Sequence, residues 1–261
     1  MVGVVFRRED VPREAVSSRA CAVIDVLRAG TTVARAFAAG AREVRLFRGL
    51  DEARAARARL GAEALLAGER DGLRPDGFEL GNSPLEFTPE RVAGRIVLFT
   101  TTNGVSALAD CEQAPFVAMA SLVNAGAVAR ALARRKEDVL LVASGTRGRY
   151  SAEDVLCAGR LAERLLDEAA GPLALDDGAL VALEFARANA SRELDVLARS
   201  EHGRTLVSLG LGADLELCAE ADSVAVVPVM ARDPLRLVAA AHGGREAPLG
   251  SPGRAGDARG G

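Results

Sequence analysis

The sequence predicts an α/β fold: a three-layer αβα arrangement with a largely parallel or mixed sheet and a more helical C-terminal part. Three observations predict it. Strand-like apolar runs alternate with helix-like stretches through most of the chain, those stretches are amphipathic, and the second half strings helix-like segments together with no strand between them. Val2–Phe6, Ala20–Val26, Glu43–Phe47, Ile96–Thr100, Phe116–Ala120, Val139–Ala143 and Val224–Val227 read as strands, and a further short apolar strand precedes Gly68. Thr32–Ala39, Leu50–Leu60, Gly104–Asp110, Ala125–Arg134 and Ser151–Ala169 have helical spacing, which favours a sheet covered on both faces. Leu175–Asn189, Ser191–Ser200 and Glu201–Leu209 read as consecutive helices, the pattern of a helical subdomain. From 243 to 261 the chain is Gly, Pro, Arg and Ala without periodicity, so one domain over 1–242 and a flexible tail over 243–261 are expected.

With 261 residues, 49% of them apolar, the chain can bury a sizeable core. No apolar run approaches the roughly 20 residues that span a bilayer, and the N-terminus lacks the pattern of a signal peptide, so a cytoplasmic protein is the expectation. Cys21, Cys111, Cys157 and Cys218 are scattered without C-x-x-C spacing and read as buried free thiols. A net charge of −3, with no basic tract, argues against a nucleic-acid partner. Lys136 is the single lysine, so an anion site here must rely on guanidinium groups, backbone N–H groups and metal.

Ligands of open α/β sheets gather at the carboxyl ends of strands, and four strand-to-helix junctions are unusually polar. In Asp25-Val26-Leu27-Arg28-Ala29-Gly30-Thr31-Thr32 an acid ends a strand, and an arginine and two hydroxyls open a helix. Helix-terminal N–H groups and the threonines suit phosphate oxygens, Arg28 suits bidentate pairing, and Asp25 suits a cation or attack on phosphorus; a plain helix cap is the structural alternative. Gly68-Glu69-Arg70-Asp71-Gly72 and Gly81-Asn82-Ser83-Pro84 form a glycine-bearing loop with acids and an arginine, functional or merely solvated. Thr100-Thr101-Thr102-Asn103-Gly104 offers hydroxyl and backbone donors, or an ordinary cap. Ser144-Gly145-Thr146-Arg147-Gly148-Arg149 leads into Glu153 and Asp154, whose oxygens suit magnesium better than zinc unless they only complement the helix dipole.

Other phosphate machinery is excluded by inspection. Only one lysine exists and no P-loop or dinucleotide glycine pattern is present. Asp25 is not part of an Asp-x-Asp pair, no cysteine has an arginine at the spacing of a cysteine phosphatase loop, and His202 lacks the arginine of the histidine phosphatases. His202 reads as a structural or capping residue, with support of a site as the alternative.

Five ordered segments, Val23–Ala29, Gly68-Glu69-Arg70, Gly81–Pro84, Thr101–Gly104 and Ser151–Asp154 with Cys157-Ala158-Gly159 after it, resemble the ComB family of 2-phosphosulfolactate phosphatases, known from coenzyme M biosynthesis. The resemblance covers most of the chain and implies an αβα fold, magnesium dependence and hydrolysis of the phosphate ester of a small 2-hydroxy acid. Carried onto this chain, it makes Asp25, Arg28, Glu69 and Arg70 the expected catalytic residues. Asn82, Ser83, Thr101, Thr102, Asn103, Gly104, Gly145 and Thr146 are the expected substrate-binding residues, and Asp25, Glu69, Glu153 and Asp154 the expected Mg²⁺ ligands. Arg147 or Arg149 is expected at the substrate's other acidic groups. Two departures, Gly30 after Arg-Ala and Val105 after Asn-Gly, remove one donor at each junction. A phosphatase of broad specificity and a non-catalytic binder of a phosphorylated metabolite stay open beside the specific enzyme. A second copy of the chain is the one protein partner envisaged; a membrane partner is not.

Overall fold

The computed structural model describes residues 1–101, 104–232 and 235–240. Thr102, Asn103 and the 243–261 segment lie outside the described residues. In chain order the elements are β1 (Val2–Val5), α1 (Arg13–Val16), β2 (Arg19–Ile24), α2 (Ala29–Ala38), β3 (Glu43–Phe47), α3 (Leu50–Leu60), β4 (Ala64–Gly68), α4 (Pro89–Val92), β5 (Ile96–Thr100) and α5 (Gly104–Asp110). The second half holds β6 (Phe116–Ala120), α6 (Ala125–Ala133), β7 (Asp138–Ala143), α7 (Ala152–Glu168), α8 (Asp177–Ala188), α9 (Glu193–Arg199), α10 (Glu201–Ser208), α11 (Ala213–Cys218), β8 (Pro228–Ala231) and β9 (Arg236–Ala239).

The strands form one nine-stranded mixed sheet in the order β1-β7-β2-β6-β8-β9-β3-β5-β4. β1, β7, β2 and β6 are mutually parallel, as are β3, β5 and β4. Three antiparallel pairings, β6 with β8, β8 with β9 and β9 with β3, join the two blocks, so the blocks run in opposite senses. Neighbouring strands rotate by about 20–25°, so the five steps from β2 to β5 accumulate about 100–125°. Strand twist of this order is what lets the carboxyl ends of β2 and β5 come to one cleft although their blocks run in opposite senses.

The side-chain period of two sorts the strands onto two faces. In β2, Ala20, Ala22 and Ile24 pack with α6, α7 and α8, while Cys21 and Val23 face a second core that takes Val33 and Phe37 of α2 and Leu108 of α5. This second core is common to both blocks, because it also holds Val44, Leu65, Phe99, Met230 and Leu237. Ala53 and Ala56 of α3 cover the outer face of β4 and β5 against Leu66, Ile96 and Leu98.

Two expectations need correction. Leu197 of α9, Leu206 of α10 and Leu215 of α11 are buried in the same core as β1, β2 and α7, so the C-terminal helices are part of the covering layer and not a subdomain. Val224–Val227 is not a strand: the Val224 N–H donates to the Val123 carbonyl, 2.8 Å, and the apolar residues pack beside a turn, with the strand beginning only at Pro228. All four cysteines are buried and free. Both sheet edges are covered. Val2 at the β1 edge bridges to Leu175, and the Asp176 carboxylate accepts from Val4; Ala67 at the β4 edge bridges to Leu80, and the Glu79 carboxylate accepts from Leu66, 2.8 Å.

Candidate active site

The carboxyl ends of β2, β4, β5 and β7 deliver Asp25, Glu69, Thr101 and Thr146 to one cleft of about 90 Å³. Arg28, Asp71, Gly72, Asn82, Arg147, Glu201 and His202 complete its lining. The approach of the chains is tight. Gly68, at φ +134°, admits no side chain because a Cβ would lie 2.0 Å from the Thr100 carbonyl oxygen. Gly104 opens α5 directly against Asp25, where a Cβ would lie 2.9 Å from Oδ2.

Asp25 is buried and its Oδ1 accepts from the Ala29 N–H, 3.1 Å. Burial, then the negative potential of Glu69 and Glu153, pushes its carboxyl up to about 7, against the pull of the Ala29 N–H and the Arg28 charge. Glu69 Oε2 accepts from the Gly72 N–H, 2.9 Å, which folds the loop after β4 back over the cleft. Glu153 and Asp154 open α7, and both carboxyls are raised, first by burial. Asp154 is a tie between loops: Oδ1 accepts from Val26 N–H, 2.9 Å, and Oδ2 from Gly145 N–H, 3.1 Å. Glu153 lies in the wall of a larger adjoining chamber of about 620 Å³ that also takes Arg7, Arg149, Tyr150 and Arg199; Thr146, Glu201 and His202 line both spaces.

Several buried polar atoms at this end of the sheet have no hydrogen-bond partner among the described residues: Arg28 Nε, Asn82 Oδ1, Thr100 Oγ1, Thr101 Oγ1, Ser144 Oγ and Glu153 Oε2. Leaving a buried polar group unmatched costs about 1–3 kcal/mol each, so their gathering beside the cleft marks a place built for a polar ligand. The carboxylates at the cleft, Asp25 and Glu69, offer oxygen ligands, which suits a hard cation. Among the described residues no three His, Cys, Asp or Glu side chains converge closely enough to enclose a cation by themselves. Of the four carboxylates expected as ligands, Asp25 and Glu69 line the cleft, Glu153 lines the adjoining chamber, and Asp154 accepts from the Val26 and Gly145 N–H groups. A magnesium ion, which commonly keeps several waters and binds through one or two carboxylates plus substrate phosphate, fits the pair in the cleft.

Other expected residues are placed differently. Thr31 Oγ1 donates to the Val26 carbonyl, 2.9 Å, and Thr32 Oγ1 to the Asn82 carbonyl, 2.9 Å, while the Ala29 and Gly30 N–H groups donate to Asp25. These four donors organise the loop itself and are not turned to an anion. Arg70 is half-buried and donates to the Arg48 carbonyl, outside the cleft lining. Ser83 Oγ donates to Asp214 Oδ1, 2.5 Å, and the Gly145 N–H is held by Asp154. Of the two arginines expected at the substrate's other acids, Arg147 lines the cleft, exposed and 3.7 Å from Asp71, whereas Arg149 lines the chamber and pairs with Glu201. Thr102 and Asn103 lie outside the described residues.

The sequence gives His202 a structural or capping role with support of a site as the alternative, and offers nothing for Asp214. His202 does not cap α10, since Ser200 Oγ accepts from the Gly203 N–H, 2.9 Å; its imidazole stands in the wall between cleft and chamber, its basicity lowered by burial and by Arg28. Asp214 in α11 forms a buried ion pair with Arg28, 2.7 Å. Asp214 has no local signal: it follows Leu211-Gly212-Ala213 in a short helix, and only the fold carries it to the Arg28 guanidinium.

A family model described as 2-phosphosulpholactate phosphatase matches residues 5–233. A protein of Symbiobacterium thermophilum named probable 2-phosphosulfolactate phosphatase is 43% identical over 222 residues, covering 84% of this chain and 94% of its own length. Proteins with the same name from a Synechococcus strain and from Deinococcus radiodurans are 45% and 44% identical, each over 80% of this chain and over 88% and 86% of their own lengths. Matches of this extent and identity show that the chain belongs to the 2-phosphosulpholactate phosphatase family.

Proposed function

We propose that the chain is a Mg²⁺-dependent phosphatase that hydrolyses 2-phosphosulfolactate, or a closely similar phosphate ester of a small 2-hydroxy acid, to the hydroxy acid and inorganic phosphate. The observation that carries this is the gathering of Asp25 and Glu69 in the lining of one cleft beside buried polar atoms that lack partners among the described residues, in a chain of a phosphatase family. In this reading Asp25 and Glu69 would hold the cation, which supplies neutralisation of phosphate charge and a more acidic water when bound. The Arg28 Nε–H and the Thr101 hydroxyl donate to nonbridging phosphate oxygens, stabilising the charge that builds on them. Asn82 presents its side chain to the same oxygens or to the attacking water. Arg147 meets the second acidic group of the substrate, exchanging its exposed contact with Asp71 for it.

Phosphate release from 2-phosphosulfolactate, 2-phospholactate and an aryl phosphate, with Mg²⁺ or with EDTA, tests the reading. The expected result is Mg²⁺-dependent turnover that prefers the hydroxy-acid esters and falls by about 10²–10³-fold in Asp25→Asn. The chamber beside the cleft favours a second reading, a phosphatase of broader specificity, because its volume exceeds what a three-carbon acid fills. Comparable rates on all three esters would select that reading. Binding without release from any of them would leave a non-catalytic binder.

A further inference from the structure

Arg28 is a buried cation at the cleft, 3% exposed, and a guanidinium in that position must be both neutralised and aimed. One carboxylate does the first. Asp214, 2% exposed, accepts from Arg28 Nη1 through Oδ2, 2.7 Å. Its other oxygen accepts from Ser83 Oγ, 2.5 Å, and the Arg28 Nη2 group donates to the Gly72 carbonyl, 2.7 Å. A guanidinium is a planar, rigid fork, so holding both terminal nitrogens fixes the third. The third is Nε, which is buried and has no hydrogen-bond partner among the described residues, in a side chain that lines the cleft.

We propose that Asp214 is a positioning residue for the phosphatase reaction: through its ion pair it locks the Arg28 fork so that the Nε–H meets a phosphoryl oxygen of the substrate. The ion pair joins α11 to the β2–α2 junction, and the bond from Ser83 adds the Gly81–Pro84 loop, which Thr32 secures from below through the Asn82 carbonyl. Three segments distant in sequence thus converge on the aim of a single N–H. Each terminal nitrogen gives one N–H to the protein, which holds the plane of the fork while Nε is left toward the cleft.

The inference rests on the reading of the cleft as a phosphate-ester site, and the test separates the two. Steady-state phosphate release and calorimetric binding of orthovanadate, both with Mg²⁺, are measured for the wild type, Asp214→Asn, Asp214→Glu, Arg28→Met and the Arg28→Met/Asp214→Asn double variant, with the Tm of each. Asp214→Asn is expected to lower kcat by about 10–100-fold with KM changed by less than about 3-fold, as a small misplacement of a charge-stabilising donor does. In the Arg28→Met background the same change should cost less than about 3-fold, because Asp214 acts through Arg28. Asp214→Glu, which keeps the charge and serves if the asparagine variant does not fold, is expected to be intermediate in kcat. Wild-type kcat in either single Asp214 variant, or losses that simply multiply in the double variant, overturns the proposal while leaving the phosphatase reading intact. A wild-type chain that neither binds orthovanadate nor releases phosphate overturns both.

Discussion

At the scale of single residues, the chemistry of this site is a problem of crowded negative charge. Asp25 is held up to about 7 by burial and by Glu69 and Glu153, with its unfolded carboxyl ionising near the usual aspartate value. Between about pH 4 and 7 the folded chain therefore keeps a proton that the unfolded chain has lost, and raising the pH through that window removes stability. The cost reaches about 4 kcal/mol for Asp25 alone. In EDTA, the Tm is accordingly expected to be higher at pH 5.5 than at pH 8, and Asp25→Asn should flatten that slope; an equal slope in both proteins would show that Asp25 is not its source. Mg²⁺ should raise the Tm more at pH 8 than at pH 6, because a cation competes with protons for the same oxygens. Asp25, Glu69, Asn82 and Thr101, which line the cleft, stand out in the sequence because each is a polar residue at or just after the end of an apolar strand or in a glycine-bearing loop that follows one. Arg70 falls outside the cleft lining, because its position in Gly68-Glu69-Arg70 does not set a direction and the loop after β4 brings its side chain to the Arg48 carbonyl.

At the scale of elements, the long helices and buried strands were legible because their periodicity runs for several turns or covers a whole strand. The short ones were not. β8, β9 and α11 have four to six residues each, too few for a period to repeat convincingly. The Cys157-Ala158-Gly159 segment, noticed as a motif, turns out to serve packing: a Cβ on Gly159 would stand 2.0 Å from the Ala182 carbonyl oxygen where α7 crosses α8. Gly159→Ala is expected to cost about 2 kcal/mol by overpacking, a fall of about 4–8 °C in Tm. Gly171→Ala, with open space around the new methyl, should leave it within a degree or so and serves as the control. Since α7 carries Asp154, the tie between the β2 and β7 loops, activity should fall with Gly159→Ala beyond what the loss of folded protein explains.

At the scale of the whole molecule, neither strand order nor direction could be read from the sequence, because both depend on where the β8–β9 hairpin inserts. That hairpin places two opposed parallel blocks in one sheet around one common core, and a single calorimetric unfolding transition is expected. Leu237 is fully buried at the join, so Leu237→Ala should cost about 2–5 kcal/mol and lower the one transition without splitting it; two separated transitions would show that the blocks are independent. The covered margins of the sheet have a bearing on how copies of the chain meet. With the Val2 and Ala67 strands already bridged by Leu175 and Leu80, neither flank offers the row of open amides along which sheets stack end to end, so fibrous growth by strand addition is closed off in the folded state and a second copy must dock through helices or loops.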